Sequence, residues 1–95
     1  MSNGIGINMS FRIENKSEGQ NVVVRLSGRI RAEGLLELKK HLESVTERIV
    51  IDMKEVTLVD REGVQFLGLC ESEGMELRNC SSYIREWILR ERRGV

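Results

Sequence analysis

Proline is absent from the 95-residue sequence, and cysteine occurs only twice, at Cys70 and Cys80. Without proline, glycines and short polar clusters have to mark where helices and strands end. The two cysteines are too few and too far apart for a zinc knuckle, and a chain without a secretion signal usually keeps such thiols reduced. The sequence therefore predicts reduced, buried cysteines and no metal site.

The sequence also lacks an excess of charge, because 15 basic residues balance 15 acidic ones. No overall electric field then favours nucleic acid or an anionic membrane. No apolar run approaches the roughly 20 residues of a membrane-spanning helix. Residues 1–6 lack the basic and apolar regions of a secretion signal. These absences predict a cytoplasmic protein that neither binds nucleic acid nor inserts into a membrane.

The length and the 40% hydrophobic content predict one domain over residues 1–95, with an ordered core over about residues 7–92. Residues 7–14 alternate between apolar and polar, with Ile7, Met9, Phe11 and Ile13 on one side, which predicts a strand with one buried face. Residues 15–21 are a polar turn cluster. Residues 22–27 then predict a second strand that closes at Gly28 and completes an antiparallel hairpin.

Strands and helices alternate after the hairpin. Apolar residues at helical spacing predict a helix over residues 32–46; they are Leu35, Leu38, Leu42 and Val45. Residues 48–53 are almost continuously apolar, which is typical of a central strand. A helix over residues 61–73, a strand over residues 75–79 and a last helix capped by Ser81 or Ser82 follow.

The predicted fold is a small α/β domain with one mixed sheet of about four strands and about three helices. An antiparallel N-terminal hairpin leads into a parallel β-α-β-α-β arrangement. Two right-handed crossovers in the same direction place both crossover helices on one face of the sheet. The last helix or a partner then has to cover the other face.

An acid–glycine turn stands where the central strand leads into the second helix, at Asp60-Arg61-Glu62-Gly63. Such a turn exposes side chains and backbone N–H groups at a helix N-terminus. Asp60 is interpreted as a helix cap, since no base or second carboxylate lies at a spacing that indicates chemistry with it. The chain shows no nucleophile–base pair, metal cluster or phosphate loop, so we predict no catalytic residue, no cofactor and no enzymatic activity.

Three segments carry a resemblance to a known family: Leu-Ser-Gly-Arg-Ile at residues 26–30, Ile-Val-Ile-Asp-Met at residues 49–53, and Val59-Asp60 followed by Gly63. Together with the order of elements, they resemble a STAS domain. That family includes bacterial anti-sigma-factor antagonists and the cytoplasmic domains of sulfate transporters. The resemblance covers about residues 7–92 and implies the STAS fold.

In antagonists of this family the turn typically reads Asp, Ser or Thr, Ser or Thr, Gly, and a partner anti-sigma kinase phosphorylates the second hydroxyl. Asp60 and Gly63 match this pattern, whereas Arg61 and Glu62 replace the hydroxyls, so Glu62 occupies the phospho-acceptor position. Arg31 stands where the family often has an acid before the first helix. The resemblance therefore implies a turn that is not phosphorylated at the usual position.

Glu62 has two interpretations. A carboxylate in the first turn of a helix is favourable by roughly 0.3–1 kcal/mol, which accounts for its presence without any function. Alternatively, Glu62 permanently mimics the phosphorylated state, although a phosphate brings about −1.5 to −2 charges and three acceptor oxygens. Arg61 beside it would reduce the local field.

In the resembling family the turn and the following helix form the partner-binding edge. We therefore predict a protein-interaction module that binds a regulatory protein, such as a kinase-like anti-sigma factor, through residues 60–69. The apolar residues of this helix either complete the core or form the docking surface. The predicted contact residues are Asp60, Arg61, Glu62, Gly63, Val64, Phe66, Leu69 and Arg31. The alternative is a structural or self-associating module, such as a homodimer, without sigma-factor regulation.

Overall fold

A computed structural model describes residues 6–7 and 11–93 of the chain. Within these residues it contains five strands and three α-helices. They are β1 (Gly6–Ile7), β2 (Phe11–Glu18), β3 (Asn21–Ile30), α1 (Leu35–Glu43), β4 (Arg48–Val59), α2 (Arg61–Ser72), β5 (Glu76–Arg78) and α3 (Ser82–Arg92). A 3₁₀ turn, Ala32–Gly34, precedes α1.

The strands form one mixed sheet in the order β1-β2-β3-β4-β5. The β1–β2 and β2–β3 pairs are antiparallel, and the β3–β4 and β4–β5 pairs are parallel. The predicted α/β class, with a hairpin followed by a parallel β-α-β-α-β arrangement, is therefore confirmed. The strand beyond the predicted four is β1, which adds two residues to the edge beside β2.

The predicted single strand over residues 7–14 is wrong, because Ile7 pairs with Arg12 on a neighbouring antiparallel strand. Alternation of apolar and polar residues is compatible with one long strand or with two paired strands, so only the pairing decides between them. Met9 and the other residues of 8–10 lie outside the described residues, as do residues 1–5 and 94–95 of the predicted domain.

The strands around the hairpin are longer than predicted. Because β2 continues to Glu18 and β3 starts at Asn21, the turn consists only of Gly19 and Gln20, and Gly19 takes the left-handed conformation (φ 64°). Residues 15–18 are exposed strand residues, and their polarity made them look like a turn. The sheet also continues past Gly28 to Ile30, through a shift of register that Gly28 accommodates at φ 99°.

The helices lie where the apolar spacing and the capping residues predicted them. The first starts later than predicted, at Leu35, because residues 32–34 form the 3₁₀ turn. Gly74 follows α2 with φ 102°, the left-handed conformation expected after a helix. Ser81 caps α3, since its hydroxyl accepts a hydrogen bond of 3.2 Å from the N–H of Ile84.

One face of the sheet and the three helices enclose a common hydrophobic core. Val24 and Ile51 are fully buried and lie opposite each other on β3 and β4. The core also includes Leu38 of α1, Leu67 of α2 and Ile88 of α3. Because the buried residues of α3 belong to this same core, the last helix covers the same side of the sheet as the crossover helices.

The opposite face of the sheet carries a row of charges of alternating sign. Glu14, Arg25, Asp52 and Arg78 lie opposite one another on successive strands from β2 to β5. Polar alternation of this kind is typical of a sheet face in contact with solvent. Asp52 differs from its neighbours in the row, because it is only 5% exposed.

Hydrogen bonds compensate for the burial of Asp52. Its Oδ1 accepts bonds from Nδ2 of Asn79 (2.9 Å) and from the N–H of Lys54 (3.0 Å), and Nε of Arg25 lies 3.5 Å from Oδ2. Burial by itself raises the pKa of this carboxyl, but these hydrogen bonds and the charge of Arg25 outweigh burial and lower the pKa below its usual value. Asp52 thus joins β4 to the residue that follows β5.

We expect Asp52→Asn to lower the free energy of unfolding at neutral pH by about 1–2 kcal/mol, because it weakens charge-assisted hydrogen bonds. The folded-state pKa of Asp52 lies below that of the unfolded chain, which is about 3.9. The carboxylate therefore stabilises the fold above about pH 4, and this contribution is lost as the pH falls through the folded-state pKa. Urea unfolding at a series of pH values should show the wild type and the variant converging in acid; a constant difference would contradict the assignment.

Both cysteines are free thiols, Cys70 buried and Cys80 partly buried. Burial, reinforced by the nearby charge of Glu73, raises the pKa of Cys70 to about 12. Burial also raises the pKa of Cys80. Cys70 is buried as predicted, whereas Cys80 is only partly buried. Both side chains are poor nucleophiles because nucleophilic chemistry requires the thiolate.

Candidate functional site

Asp60 lies between β4 and α2 and holds two segments together. Its Oδ1 accepts a hydrogen bond of 2.8 Å from the N–H of Gly63, which caps α2. Its Oδ2 accepts a hydrogen bond of 3.0 Å from the N–H of Ala32, at the start of the 3₁₀ turn. The N–H of Asp60 donates to the carbonyl oxygen of Ile30 at 3.1 Å. The first turn of α2 is thereby fixed against the segment that leads into α1.

Arg31 precedes the 3₁₀ turn and provides no side-chain cap for it. Arginine has no side-chain acceptor for the free N–H groups of this turn. The missing acceptor comes from Asp60, 28 residues further along the chain from Ala32. The interpretation of Asp60 as a cap is therefore confirmed for α2, and the structure adds a second cap that the sequence did not predict.

Gly63 is buried in the first turn of α2, where the helix approaches the ends of two strands. A Cβ atom added at this position would lie 2.7 Å from Cγ1 of Val59 and 2.9 Å from the carbonyl oxygen of Ile30. Real Cβ atoms essentially never come so close to other heavy atoms. The glycine is therefore required for close packing beneath the turn, and it is too buried for a large contact with a partner.

Arg61 turns towards α3. Its Nε lies 3.4 Å from Oε2 of Glu91, while Nε2 of Gln65 donates to Oε1 of the same carboxylate at 3.0 Å. The hydrogen bond from Gln65, followed by the charge of Arg61, lowers the pKa of Glu91. The positive charge of Arg61, next to Glu62, is thus engaged in an ion pair with α3.

Glu62 is exposed in the first turn of α2. Among residues 6–7 and 11–93, no side chain or backbone group forms a hydrogen bond or ion pair with its carboxylate. The charge is favourable at this place because the first turn of a helix has a positive partial charge and free N–H groups. It is also free to bind a cation of another molecule.

The three apolar residues of α2 that the sequence proposed as contacts have different environments. Val64 is fully buried in the core, so its prediction as a contact residue is wrong. Phe66 is half-buried against the core, and Leu69 is 55% exposed. The reason is α3, which packs against the Val64 side of the helix and lines a groove together with it. The sequence of α2 alone does not show which of its sides another helix covers.

Leu69 forms a ridge between two shallow grooves. The groove between α1 and α2 has a volume of about 190 Å³ and is lined in part by Leu42, Phe66 and Met75. The groove between α2 and α3 has a volume of about 260 Å³ and includes Gly68 and Ile88. Charged residues also line both grooves, among them Lys39 and Glu73 in the first and Arg92 in the second, so a partner that contacts Leu69 meets a mixed surface on both sides of it.

Four further exposed apolar side chains were missed at the sequence level, namely Leu36 on α1, Leu58 on β4, and Tyr83 and Leu89 on α3. Leu36 lies outside the apolar stripe of its helix, which is a signal that the sequence does contain. Leu58 carries no such signal, because its strand was predicted to end at residue 53. Isolated exposed apolar residues are common, so only their position next to other features gives them meaning.

The described residues lack two kinds of feature, a helix that could cross a membrane and a cluster of side chains that could hold a metal ion. No helix within residues 6–7 and 11–93 is both long and apolar enough to cross a membrane. The same residues contain no cluster of three or more histidine, cysteine, aspartate or glutamate side chains arranged to hold a metal ion.

Comparison with known proteins places this fold in a family. No curated protein matches the sequence significantly. The solved structure of an antisigma-factor antagonist, a STAS domain from Rhodobacter sphaeroides, superposes with a TM-score of 0.57 at 20% identity, covering 80% of this chain and 97% of that chain. Such a distant match shows the common fold. The sequence itself matches the family described as "Mlab, STAS domain" over residues 13–81. Since the match spans most of the chain and the fold agrees, the chain belongs to the STAS domain family.

Proposed function

We propose that this STAS domain is a non-enzymatic module that binds a regulatory protein through the exposed side of α2. We call this the α2 surface, and it consists of Glu62, Gln65, Phe66 and Leu69. The kind of partner that the family resemblance favours is a kinase-like anti-sigma factor, which would place the protein in transcription regulation in the cytoplasm. Asp60 and Gly63 act beneath the surface, where they hold the turn in position.

The observation that carries the proposal is the pairing of a free charge with an exposed apolar residue. Glu62 and Leu69 are two helical turns apart and thus lie on the same side of α2, and both are exposed. A fixed charge beside an apolar ridge provides both orientation and buried area in a protein interface. Arg31 lies at the neighbouring turn and extends the charged rim.

The proposed module is not switched by phosphorylation at the usual position. Residues 60–63 read Asp-Arg-Glu-Gly and offer no hydroxyl. Glu62 carries one negative charge there at neutral pH, whereas a phosphate would carry about −1.5 to −2. Binding through the α2 surface is therefore constitutive with respect to this site.

The test compares two charge reversals at opposite ends of the β4 strand. We expect Glu62→Lys to weaken binding to the purified partner at least about tenfold, because it reverses the only charge of the first turn that is free. Glu47→Lys makes the same change at an exposed position before β4 and should leave the affinity unchanged. Calorimetric titration of both variants measures the difference; equal affinities for Glu62→Lys and wild type would sink the proposal.

A second variant tests the absence of the switch. Glu62→Ser restores a hydroxyl at the acceptor position and should become phosphorylated by the kinase-like partner with ATP, while the wild-type chain should not. Mass spectrometry of the intact chains distinguishes them. Labelling of wild-type Ser27, Ser72 or another hydroxyl together with release of the partner would contradict the proposal of a constitutive module.

Self-association is the alternative function, and the exposed Leu69 ridge is the observation that favours it. Sedimentation of the purified chain distinguishes the two functions. A dimer that Leu69→Glu dissociates without unfolding the protein would favour the self-associating module. A monomer at all concentrations would leave the regulatory partner as the occupant of the α2 surface.

A further inference from the structure

The second half of β4 has a free edge. On one side, β3 pairs with β4 as far as Val59. On the other side, β5 pairs only with Val50, Ile51 and Asp52, and no other strand within the described residues continues the sheet. The N–H of Lys54 is already bonded to the side chain of Asp52. The unpaired part of the edge therefore begins after Lys54. Unpaired N–H and C=O groups in a row are a template for another extended chain.

A groove of about 580 Å³ lies along this edge, and we call it the β4 edge groove. One side consists of residues 56–59, and the other consists of the first turns of α3, with Ser81, Tyr83, Ile84 and Trp87. Tyr83 is 67% exposed and meets the ring of Trp87 edge-on, with 5.9 Å between the ring centroids. The groove thus presents an exposed tyrosine and a half-buried tryptophan beside a free strand edge, and both residue types are enriched at the binding hot spots of protein interfaces.

The groove offers an occupant no free charge. Among the described residues that line it, only Asp60 is acidic or basic, and both oxygens of that carboxylate accept backbone N–H groups, from Gly63 and Ala32. The groove can therefore recognise an occupant only through apolar contacts and main-chain hydrogen bonds. These requirements describe an extended, uncharged chain with apolar side chains at alternate positions.

We propose that the β4 edge groove binds an extended segment of a partner protein, which adds to the sheet as a further strand beside residues 55–59. Alternate apolar side chains of the segment face α3 and pack against Tyr83 and Trp87. Residues 56–59 span roughly 13 Å of strand, so a short segment fills the groove. This surface is distinct from the α2 surface and does not depend on it.

The position of α3 favours a single segment over a second copy of the chain. Tyr83, Ile84 and Trp87 extend past the edge of β4 on the helical side of the sheet. A second copy that paired through its own β4 edge, around a two-fold axis perpendicular to the sheet, would keep its helices on that same side. The two α3 helices would then compete for the space beneath the joined strands, whereas an isolated strand brings no helix.

The probe for the test is a short acetylated and amidated peptide of alternating valine and threonine. Trp87 is the only tryptophan of the chain, so its fluorescence reports on the groove directly. We expect a saturable change of this fluorescence on addition of the peptide, together with slower amide hydrogen exchange within residues 55–59. The same peptide with N-methyl groups on alternate backbone nitrogens is the matched control, and it should not bind because it cannot pair as a strand.

Two variants on α3 locate the site. Tyr83→Ala should weaken peptide binding about tenfold, since it removes an exposed aromatic contact. Leu89→Ala removes an exposed apolar side chain from the same helix outside the groove and should have no effect. Glu62→Lys should also leave peptide binding unchanged, so failure of this proposal and failure of the proposed function are distinguishable.

Three results would overturn the proposal. The first is the absence of both the fluorescence change and the protection of residues 55–59. The second is equal binding of the N-methylated peptide, because contact would then not involve strand pairing. The third is a dimer of the unliganded chain that Tyr83→Ala dissociates and that protects residues 55–59, because the occupant would then be a second copy.

Discussion

Gly63→Ala is expected to lower the free energy of unfolding by about 1–3 kcal/mol, although alanine is the better helix former. The added methyl group would lie 2.7 Å from Cγ1 of Val59 and 2.9 Å from the carbonyl oxygen of Ile30. That carbonyl has little freedom to move, because it accepts the N–H of Asp60 at 3.1 Å. The first turn of α2 therefore has to shift away from the sheet. Urea unfolding of the purified variant measures the loss.

Gly68→Ala in the same helix is the matched control. The nearest atom to a Cβ at Gly68 is Cγ2 of Ile88 at 3.4 Å, which is an ordinary van der Waals distance. Relief of the unfavourable helix propensity of glycine should then make this variant as stable as the wild type or up to about 1 kcal/mol more stable. If both glycine variants behaved alike, the close approach at Gly63 would not be the reason for its presence.

The Asp60→Ala variant is expected to lose about 2–3 kcal/mol of unfolding free energy. It removes the acceptor for Gly63, a typical cap worth about 1 kcal/mol, and the charge-assisted acceptor for Ala32, worth about 1.5 kcal/mol or more. The destabilisation should be largest near the turn, because these hydrogen bonds hold the start of α2 against the start of the 3₁₀ turn. Amide hydrogen exchange at Ala32 and Gly63 should accelerate more than exchange in the core strands.

Two further substitutions give reference values for the unfolding free energy that Asp60→Ala is expected to lose. Asp60→Asn retains one acceptor oxygen but points an amide group at one of the two N–H donors, so we expect an intermediate loss. Glu62→Ala removes a carboxylate of the same turn that has no partner, and only its interaction with the helix dipole, roughly 0.3–1 kcal/mol, should disappear. A loss for Asp60→Ala no larger than that for Glu62→Ala would show that the second cap contributes nothing.

The interpretation of the turn changes with these contacts. The family resemblance drew attention to Asp60, Glu62 and Gly63 as one motif. In the structure they divide into two groups, since Asp60 and Gly63 are internal supports while Glu62 is the exposed charge. We thus expect destabilising variants of these supports to impair the proposed partner binding indirectly. Glu62 and Leu69 are the residues at which stability and binding can be separated.

Sequence-based prediction was least accurate where exposed strands resemble turns. Residues 15–18 are polar and exposed although they belong to β2, and β4 continues past Met53 although the polar residues Lys54 and Glu55 interrupt its apolar run. In both places the backbone pairs with a neighbouring strand, but the type of the side chains does not indicate that pairing. The prediction was most accurate for α2 and α3, because Asp60 caps α2 and Ser81 caps α3 directly before the apolar residues of each helix.

From the amino-acid order alone follow the α/β class, the succession of elements, the cap at Asp60 and the absence of a hydroxyl from residues 60–63. These depend on local spacing and residue type. Only packing between distant segments decided that α3 buries Val64 and leaves Leu69 exposed, that Asp60 also caps the turn at Ala32, and that β4 extends beyond β5. Contacts of this kind join residues far apart in the chain, so no local pattern contains them.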